Sequence, residues 1–584
     1  MKQINKDILK LAIPSILANI TVPIVGMVDI AVAGHLDAVA GGVSVATMIG
    51  GIAIGTMLFD LLYWNFGFLR VGTGGLTAQA YGREDRKDCA RILVRSSGIA
   101  LSCAVLLILI QWLFVKVAFL FVDCTPQVRE LASRYFFIRI WAAPATLGLM
   151  AIKGWLIGMQ DSVSTMVTDL VVNGMNVLMS VVLAMGLGIG GDASAGHTNW
   201  LIRPMGFNGI AMGTVAAQYS GLAVAMLILF FKYRQNTLGL LEADDMKGLF
   251  KGAETRRFFA MNTDLFVRSL CFIAIYIGFT VISARYGDLL LAVSSIMMKL
   301  LMIFSYFTDG FAYAGEALTG RYIGAGDRPM LRQTVRWTFA WSMGIALIFI
   351  LIYYFAGVPL LGFMTSDPMV IEASVEYLPW LLLMPVIGCA AFTWDGIYIG
   401  ATASKAIRNS MLWAVVAFTL VWFAGVACLN LSDLPSTLSS ATSGTGPDVM
   451  SSVASAGVSD GGLSGVSDAV YGTVPDVASD EASGVASGVV SGVVSDGVSG
   501  EASAGVSDGA SGEVSDGASG EVSDGVSGEA SAGVSGEAPG EVSDGASQYG
   551  RFAMHILMAA YFAHLLARAV YLSTRWHFTS SSAL

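Results

Sequence analysis

Two stretches decide how this chain is built: LTAQAYGREDR at 76–86 and LTGRYIGAGDR at 318–328. They lie 242 residues apart and match at Leu76/Leu318, Thr77/Thr319, Gly82/Gly324, Asp85/Asp327 and Arg86/Arg328. The same offset runs on without gaps. Phe121, Pro126, Val128, Glu130 and Tyr135 meet Phe363, Pro368, Val370, Glu372 and Tyr377. Gly154, Ile157 and Gly158 meet Gly396, Ile399 and Gly400. Apolar composition alone produces chance Leu and Val matches, but not Gly, Pro, Asp, Arg and Glu matched at one offset. The chain is an internal duplication.

The material around these stretches is apolar. Of 584 residues, 55% are hydrophobic and 13% charged, against roughly 25% charged in soluble domains. That excludes an ordinary soluble enzyme and indicates a multi-span helical membrane protein. Runs long enough to span a bilayer, about 20 residues each, fall near 8–34, 42–69, 90–121, 130–157, 163–189, 207–233, 257–284, 289–316, 333–362, 374–398, 409–431 and 551–574. The first is too long for a signal-peptide core and has no convincing cleavage site, so it is kept as a helix. Six helices per half is an even number, so both halves enter the membrane from the same side, related by an axis along its normal. The expected fold is all-α: twelve transmembrane helices in two pseudo-symmetric six-helix lobes. The expected divisions are an amino-terminal lobe at 1–234, a linker at 235–256, helices 7 to 11 at 257–432, an insert at 433–547, and helix 12 with a tail at 548–584. The Gly-rich LGIGG at 187–191 follows an apolar helix and reads as a loop, not a nucleotide fingerprint. No phosphate loop appears, so nothing argues for ATP.

The formal net charge of -10 comes from one place. Residues 433–547 contain 18 Asp and Glu and no Lys, Arg, His or Trp. Without them the chain holds 33 basic and 25 acidic residues, a net +8. The insert is written in Ser, Gly, Val, Ala, Asp and Glu, with GASGEVSD at 509–516 repeated at 517–524. A calcium-binding β-roll needs a nonapeptide with paired glycines; the period here is 8. Too few large apolar groups are present to offset the entropy of ordering, so the expectation is disorder.

Basic residues gather in alternate connections. Lys2, Lys6 and Lys10 precede the first helix; Arg83, Arg86, Lys87 and Arg91 follow the second. Lys232, Arg234, Lys247, Lys251, Arg256 and Arg257 join the sixth and seventh. Arg321, Arg328, Arg332 and Arg336 join the eighth and ninth; Lys405 and Arg408 join the tenth and eleventh. By the positive-inside rule these are cytoplasmic, which puts both termini inside and the insert outside. Six cysteines show no metal or redox spacing.

A carboxylate at the bilayer centre costs roughly 2.5–3.5 kcal/mol on insertion scales and normally faces a cavity or a partner. Asp29, late in the first helix, is the leading candidate for proton exchange. Pro14, 15 residues earlier, removes one helical hydrogen bond and allows a bend, and Pro23 adds a second kink point. Asp264 and Arg268, four apart on helix seven, are either a functional site or a pair that neutralises itself. Asp309 and Glu316, seven apart on one face of helix eight, suggest a cation-attracting wall. Asp395 in helix ten has Lys153 as its counterpart at the 242 offset. These two form either a cross-lobe pair or two separate sites, with Lys299 a further counter-ion. Asp60 and Arg70 read as structural. Trp64, Phe66, Trp141, Trp155, Trp394 and Tyr398 beside acids suit lipophilic cations, though interfacial anchoring and core packing explain most of them.

These residues resemble the multidrug and toxic compound extrusion (MATE) family, in its DinF-like branch. The resemblance covers 1–431 and 549–578. Its pieces are the Pro14-to-Asp29 arrangement, LRVGTGGLTAQAYGR at 69–83, TDGFAYAGEALTGRYIGAGD at 308–327 and DGIYIGATASKAIRNSM at 395–411. It implies cation-coupled antiport, with Asp29 as the coupling acid of the amino-terminal lobe and Pro14 as the proline of a bending helix. Asp395 resembles a tenth-helix acid linked with cation coupling in other branches. Many members carry Asn in the fifth helix with Asp four residues on; here Asn176 is followed by Ser180, which leaves Asn173 and Asn176 as hydrogen-bonding partners for Asp29. The insert lies outside the family pattern.

The expected function is a secondary active antiporter that exports organic, cationic or amphipathic compounds in exchange for H+ or Na+, by alternating access. It would be a monomer in the bacterial cytoplasmic (inner) membrane, with no cofactor, no bound metal and no nucleic-acid partner. A lipid-linked precursor flippase of the same architectural group is the alternative; it favours cavity Arg and Lys for phosphate, where this body offers mostly acids. A membrane enzyme needs clustered His and Asp, but His35, His197, His555, His564 and His577 are scattered. A non-transporting scaffold bearing the acidic loop is the third option.

Overall fold

The structure, a computed structural model, describes residues 2–36, 44–120, 122, 124–192, 197–242, 252–432 and 542–582. Among them are twelve helices long and apolar enough to cross a membrane. Spans 1 to 6 are Lys2–Gly34, Thr47–Gly82, Arg86–Ala118, Pro126–Gly158, Ser162–Met185 and Phe207–Tyr233. Spans 7 to 12 are Thr255–Ala284, Asp288–Gly324, Arg328–Met364, Leu378–Gly400, Ser404–Leu429 and Tyr549–Trp576. Two large apolar clusters divide in the same way. One is built on Phe59, Tyr135, Phe136 and Phe207, the other on Phe279, Phe304, Tyr377 and Tyr561. This is the expected all-α fold of twelve spans in two lobes.

Two details differ from expectation. Leu187–Asp192, read as a loop, is strand β1, paired antiparallel with β2 (His197–Ile202). Spans 5 and 6 pack side by side, so the chain leaving one must reverse into the other, and a hairpin satisfies its own backbone groups while doing so. The helix of span 12 begins at Val542, inside the segment assigned to the insert. The rest of the insert, 433–541, and its expected disorder lie outside the described residues.

The duplication explains the local structure. Asp85 and Asp327, equivalent by the offset, each cap a helix, accepting from Asp88 N at 2.9 Å and Met330 N at 3.0 Å. Thr125 and Asp367 are equivalent caps before Pro126 and Pro368, where proline suits the first helical turn. The turns at the end holding the amino terminus also match. Glu84 and Gly326 have φ of 61° and 71°, and Gln160 and Thr402 have 63° and 52°.

At that end the lobes meet, and the contacts are reciprocal. Gly82 lies against the Arg321 carbonyl oxygen, and its equivalent Gly324 against that of Gln79, the equivalent of Arg321. Arg321 Nη1 donates to Gln160 Oε1 at 3.0 Å, and Gln79 Nε2 donates to Thr402 Oγ1 at 3.1 Å. Trp341 Nε1 donates to Asn5 Oδ1 nearby. Among the described residues, the hydrogen bonds and ion pairs between lobes lie at this end or at mid-depth. The far half of span 2 instead packs within its own lobe, Gly51 on Leu131 and Gly55 on Tyr135.

Candidate functional site

Span 1 is interrupted. Its first helix, Lys2–Ile20, runs unbroken through Pro14, and the break falls at Thr21, just before Pro23 opens the helix Val22–Gly34. Proline is tolerated in a first turn because the missing N–H has no partner there in any case, so Pro23 starts a helix more easily than Pro14 ends one. Thr21 Oγ1 donates to Ala18 O at 2.7 Å and accepts from Asn173 Nδ2. The half of span 1 around Pro14 packs on the opposite lobe, where Gly310 sits on Ile16 and the Ala12 carbonyl.

Asp29 lies in the second half of span 1, 7% exposed. Ser180 Oγ donates to Asp29 Oδ1 at 3.0 Å. Neither Asn173 nor Asn176 is hydrogen-bonded to it, which corrects the expected partners. Asn173 holds the break at Thr21, and Asn176 Nδ2 donates to Thr214 Oγ1 at 3.1 Å on span 6. Asn173 and Ser180 are seven positions apart, about two helical turns, so span 5 presents one side chain to the hinge and another to the acid. Arg139 on span 4 acts electrostatically on both Asp29 and Asp60. It donates to Tyr135 Oη at 3.2 Å and lies 4.8 Å from the Phe59 ring centroid.

Between the lobes, Arg70 and Glu316 form an ion pair, Nη1 to Oε2 at 3.6 Å, and Arg70 stacks 4.4 Å from the Tyr313 ring centroid. Arg70, read as structural, is therefore a cross-lobe group. Glu316 is completely buried, with Gly74 of the other lobe against it. Asp309, two turns away on span 8, makes no hydrogen bond or ion pair among the described residues, and feels Arg70, Arg268, Asp395 and Arg568 electrostatically. The two acids of the expected wall thus differ: one is paired, the other open.

In the carboxy-terminal lobe the pairs are redistributed. Asp264 does not pair with Arg268. Its oxygens accept from Arg408 Nη1 at 2.6 Å and Ser404 Oγ at 2.8 Å, both on span 11. Arg268 donates instead to Asp395 Oδ2 at 2.8 Å, and Arg568 of span 12 donates to the same oxygen. Tertiary partners displace an intrahelical pair worth only a few tenths of a kcal/mol. Lys153 pairs with Asp169 inside the amino-terminal lobe, so Lys153 and Asp395 belong to two separate sites.

Sequence reading missed Arg139 and Arg568. Both are charges inside apolar runs, RYFFIRIWAAP and HLLARAVYL, and the rule applied to intramembrane acids would have flagged them.

The MatE family model matches residues 14–182 and 265–423. The chain is 34% identical to DNA damage-inducible protein F of Escherichia coli (strain K12) over 418 residues, 71% of this chain and 85% of that protein. It is 21% identical to a probable multidrug resistance protein NorM of Thermotoga maritima, over 72% and 84% of the two chains. A solved outward-facing multidrug resistance MATE family transporter of the MOP superfamily superposes with a TM-score of 0.60 at 16% identity, over 71% of this chain and 86% of that one. The eukaryotic MATE transporter AtDTX14 does so with a TM-score of 0.58 at 13% identity, over 72% and 87%. The two structural matches concern the fold, while the family model spans both lobes and the first relative aligns over most of its length. The chain belongs to the MATE family of multidrug and toxic compound efflux transporters.

Proposed function

We propose that this transporter is a secondary active antiporter that exports organic, cationic or amphipathic compounds in exchange for inward H+ or Na+. The observation that carries the reading is Asp29: a buried carboxylate in a broken span, bonded to one side chain of span 5 while Asn173, two turns away on that span, holds the break. A carboxylate is the group that can hold a proton or a sodium ion at this depth. Loading it changes the Ser180 bond and the balance with Arg139, and the helix Val22–Gly34 can tilt at Thr21 in response.

The lobes, joined at the end that holds the amino terminus, suit alternating access by rocking. The basic connections support placing that end in the cytoplasm of a bacterial cell, with both termini inside, residues 433–541 outside and the body in the inner membrane. Asp309, open between the lobes beside Tyr306 and Tyr313, supports contact with cationic substrates. Coupling by one side chain needs no cofactor, and a complete pair of lobes in one chain supports a monomer.

The test is substrate efflux from reconstituted vesicles with pH and Na+ gradients imposed separately. Gradient-driven efflux by the wild type, lost in Asp29→Asn, is the expected result; an Asp29→Asn protein with full gradient-driven efflux sinks the assignment.

A further inference from the structure

Spans 7, 10 and 12 bring Arg268, Asp395 and Arg568 to one point. Arg568 is 1% exposed, while the Arg268 side chain is 26% exposed. Both guanidinium groups donate to one oxygen, Asp395 Oδ2. An arginine and a carboxylate usually pair fork to fork, with two parallel bonds. Here two forks crowd onto a single oxygen. Asp395 Oδ1 and the Nε of each arginine are buried with no hydrogen-bond partner. Buried polar atoms are normally satisfied, so three orphans in one cluster mark a group held in an incomplete arrangement.

The equivalent place in the other lobe sharpens the point. There Lys153 and Asp169 pair one to one. The carboxy-terminal cluster instead sets two guanidinium groups against one carboxylate. Asp309 is in electrostatic range but bonds to neither arginine. What the cluster lacks is a second acceptor with the planar, two-oxygen shape that guanidinium forks match.

The geometry points to a binding site for the carboxylate of an organic substrate, held by Arg268 and Arg568 in competition with Asp395. The incoming oxygens take the donors that Asp395 leaves empty, and the exposed part of Arg268 is the approach. The open carboxylate of Asp309 favours a positive group elsewhere on the same molecule, so the site extends the substrate class from cations to compounds that also carry an acid. The word substrate rests on the proposed transport function; the site itself does not.

The experiment is equilibrium binding of radiolabelled 1-naphthylacetate and of neutral 1-naphthylacetamide to the purified full chain in detergent, with no gradient. The acid is expected to bind at least tenfold more tightly than the amide. Arg268→Gln is expected to abolish that preference while ethidium binding is retained or strengthened, since a positive charge near Asp309 is lost, and Asp395→Asn to tighten naphthylacetate several-fold. Equal affinities for acid and amide in the wild type overturn the proposal, as does a preference that survives Arg268→Gln. If Arg268→Gln also loses ethidium binding, phenylglyoxal labelling of wild-type Arg268 decides. Protection by naphthylacetate but not by the amide supports the site, and no protection overturns it. A protein that binds the acid selectively yet shows no gradient-driven efflux retains the site and loses the antiport reading.

Discussion

Arg70 and Glu316 face each other across the lobe boundary, Nη1 to Oε2 at 3.6 Å, with Glu316 fully buried. Removing one member of a buried pair leaves an uncompensated charge, at a cost of about 3–5 kcal/mol. Glu316→Gln and Arg70→Gln should each lower thermal stability in detergent. The Arg70→Met, Glu316→Leu double variant should recover most of the loss, a coupling that a double-mutant cycle on melting temperature measures. Additive losses would show that the two side chains do not act as a pair.

Gly82 and Gly324 each take the place where a Cβ would run into a carbonyl oxygen of the other lobe. Overpacking of this kind costs about 1–3 kcal/mol. Gly82→Ala and Gly324→Ala should therefore loosen the joined end to similar extents. The readout is a disulfide cross-link engineered at Gln160→Cys and Arg321→Cys, whose yield should fall with either alanine.

Asp161, in the turn between spans 4 and 5, is an acid whose titration is exposed to measurement. Burial alone would raise its carboxyl, but hydrogen bonds from Lys232, Ser164 and Tyr233 and the charge of Lys232 outweigh burial and hold it below the usual carboxylate range. A depressed folded value means that the stabilisation is complete above the unfolded value, about 3.9, and fades as pH falls through the folded one. Asp161→Asn should melt earlier than wild type at pH 7, and the gap should narrow on acidification below pH 4.

Residues 433–541 leave span 11 and return to span 12, and the two helices pack along each other, with Gly425 against Ile556. Trp422 of span 11 and Tyr549 of span 12 both meet the Tyr286 ring, edge-on at 6.2 Å and tilted at 6.3 Å between ring centroids. A short Gly/Ser linker can replace the segment. Deleting 433–541 should leave efflux and melting temperature unchanged; loss of efflux from a stable deletion protein would assign the segment a part in transport.

The span pattern and the duplication were legible because each depends on properties local to the chain: apolar length, and Gly, Pro and Asp at one offset. Asp85 and Asp327 belonged to that matched set, and their equivalence reappears in the structure as equivalent helix caps. Ion partners were not legible, because helix packing chooses them. Nothing near Asp264 in sequence announces Arg408, and the Arg568 that grips Asp395 is 173 residues away. The weight placed on acids, with basic groups considered mainly as their counter-ions, also hid Arg139. The strand Leu187–Asp192 was missed because its glycines carry no alternation of apolar and polar side chains.

The reciprocal contacts of Gly82 with Arg321 and Gly324 with Gln79 make the joined end a self-complementary seam, the kind of surface that two copies of one chain present to each other about a two-fold axis. Here the two copies are covalently fused. Such a seam has no leading edge: each half rests on the same approach of a glycine to a carbonyl oxygen, on either side of the axis. If the lobes rock as proposed, the two contacts break together, and the doorway has two settings, shut and open, without a half-unlatched position between them.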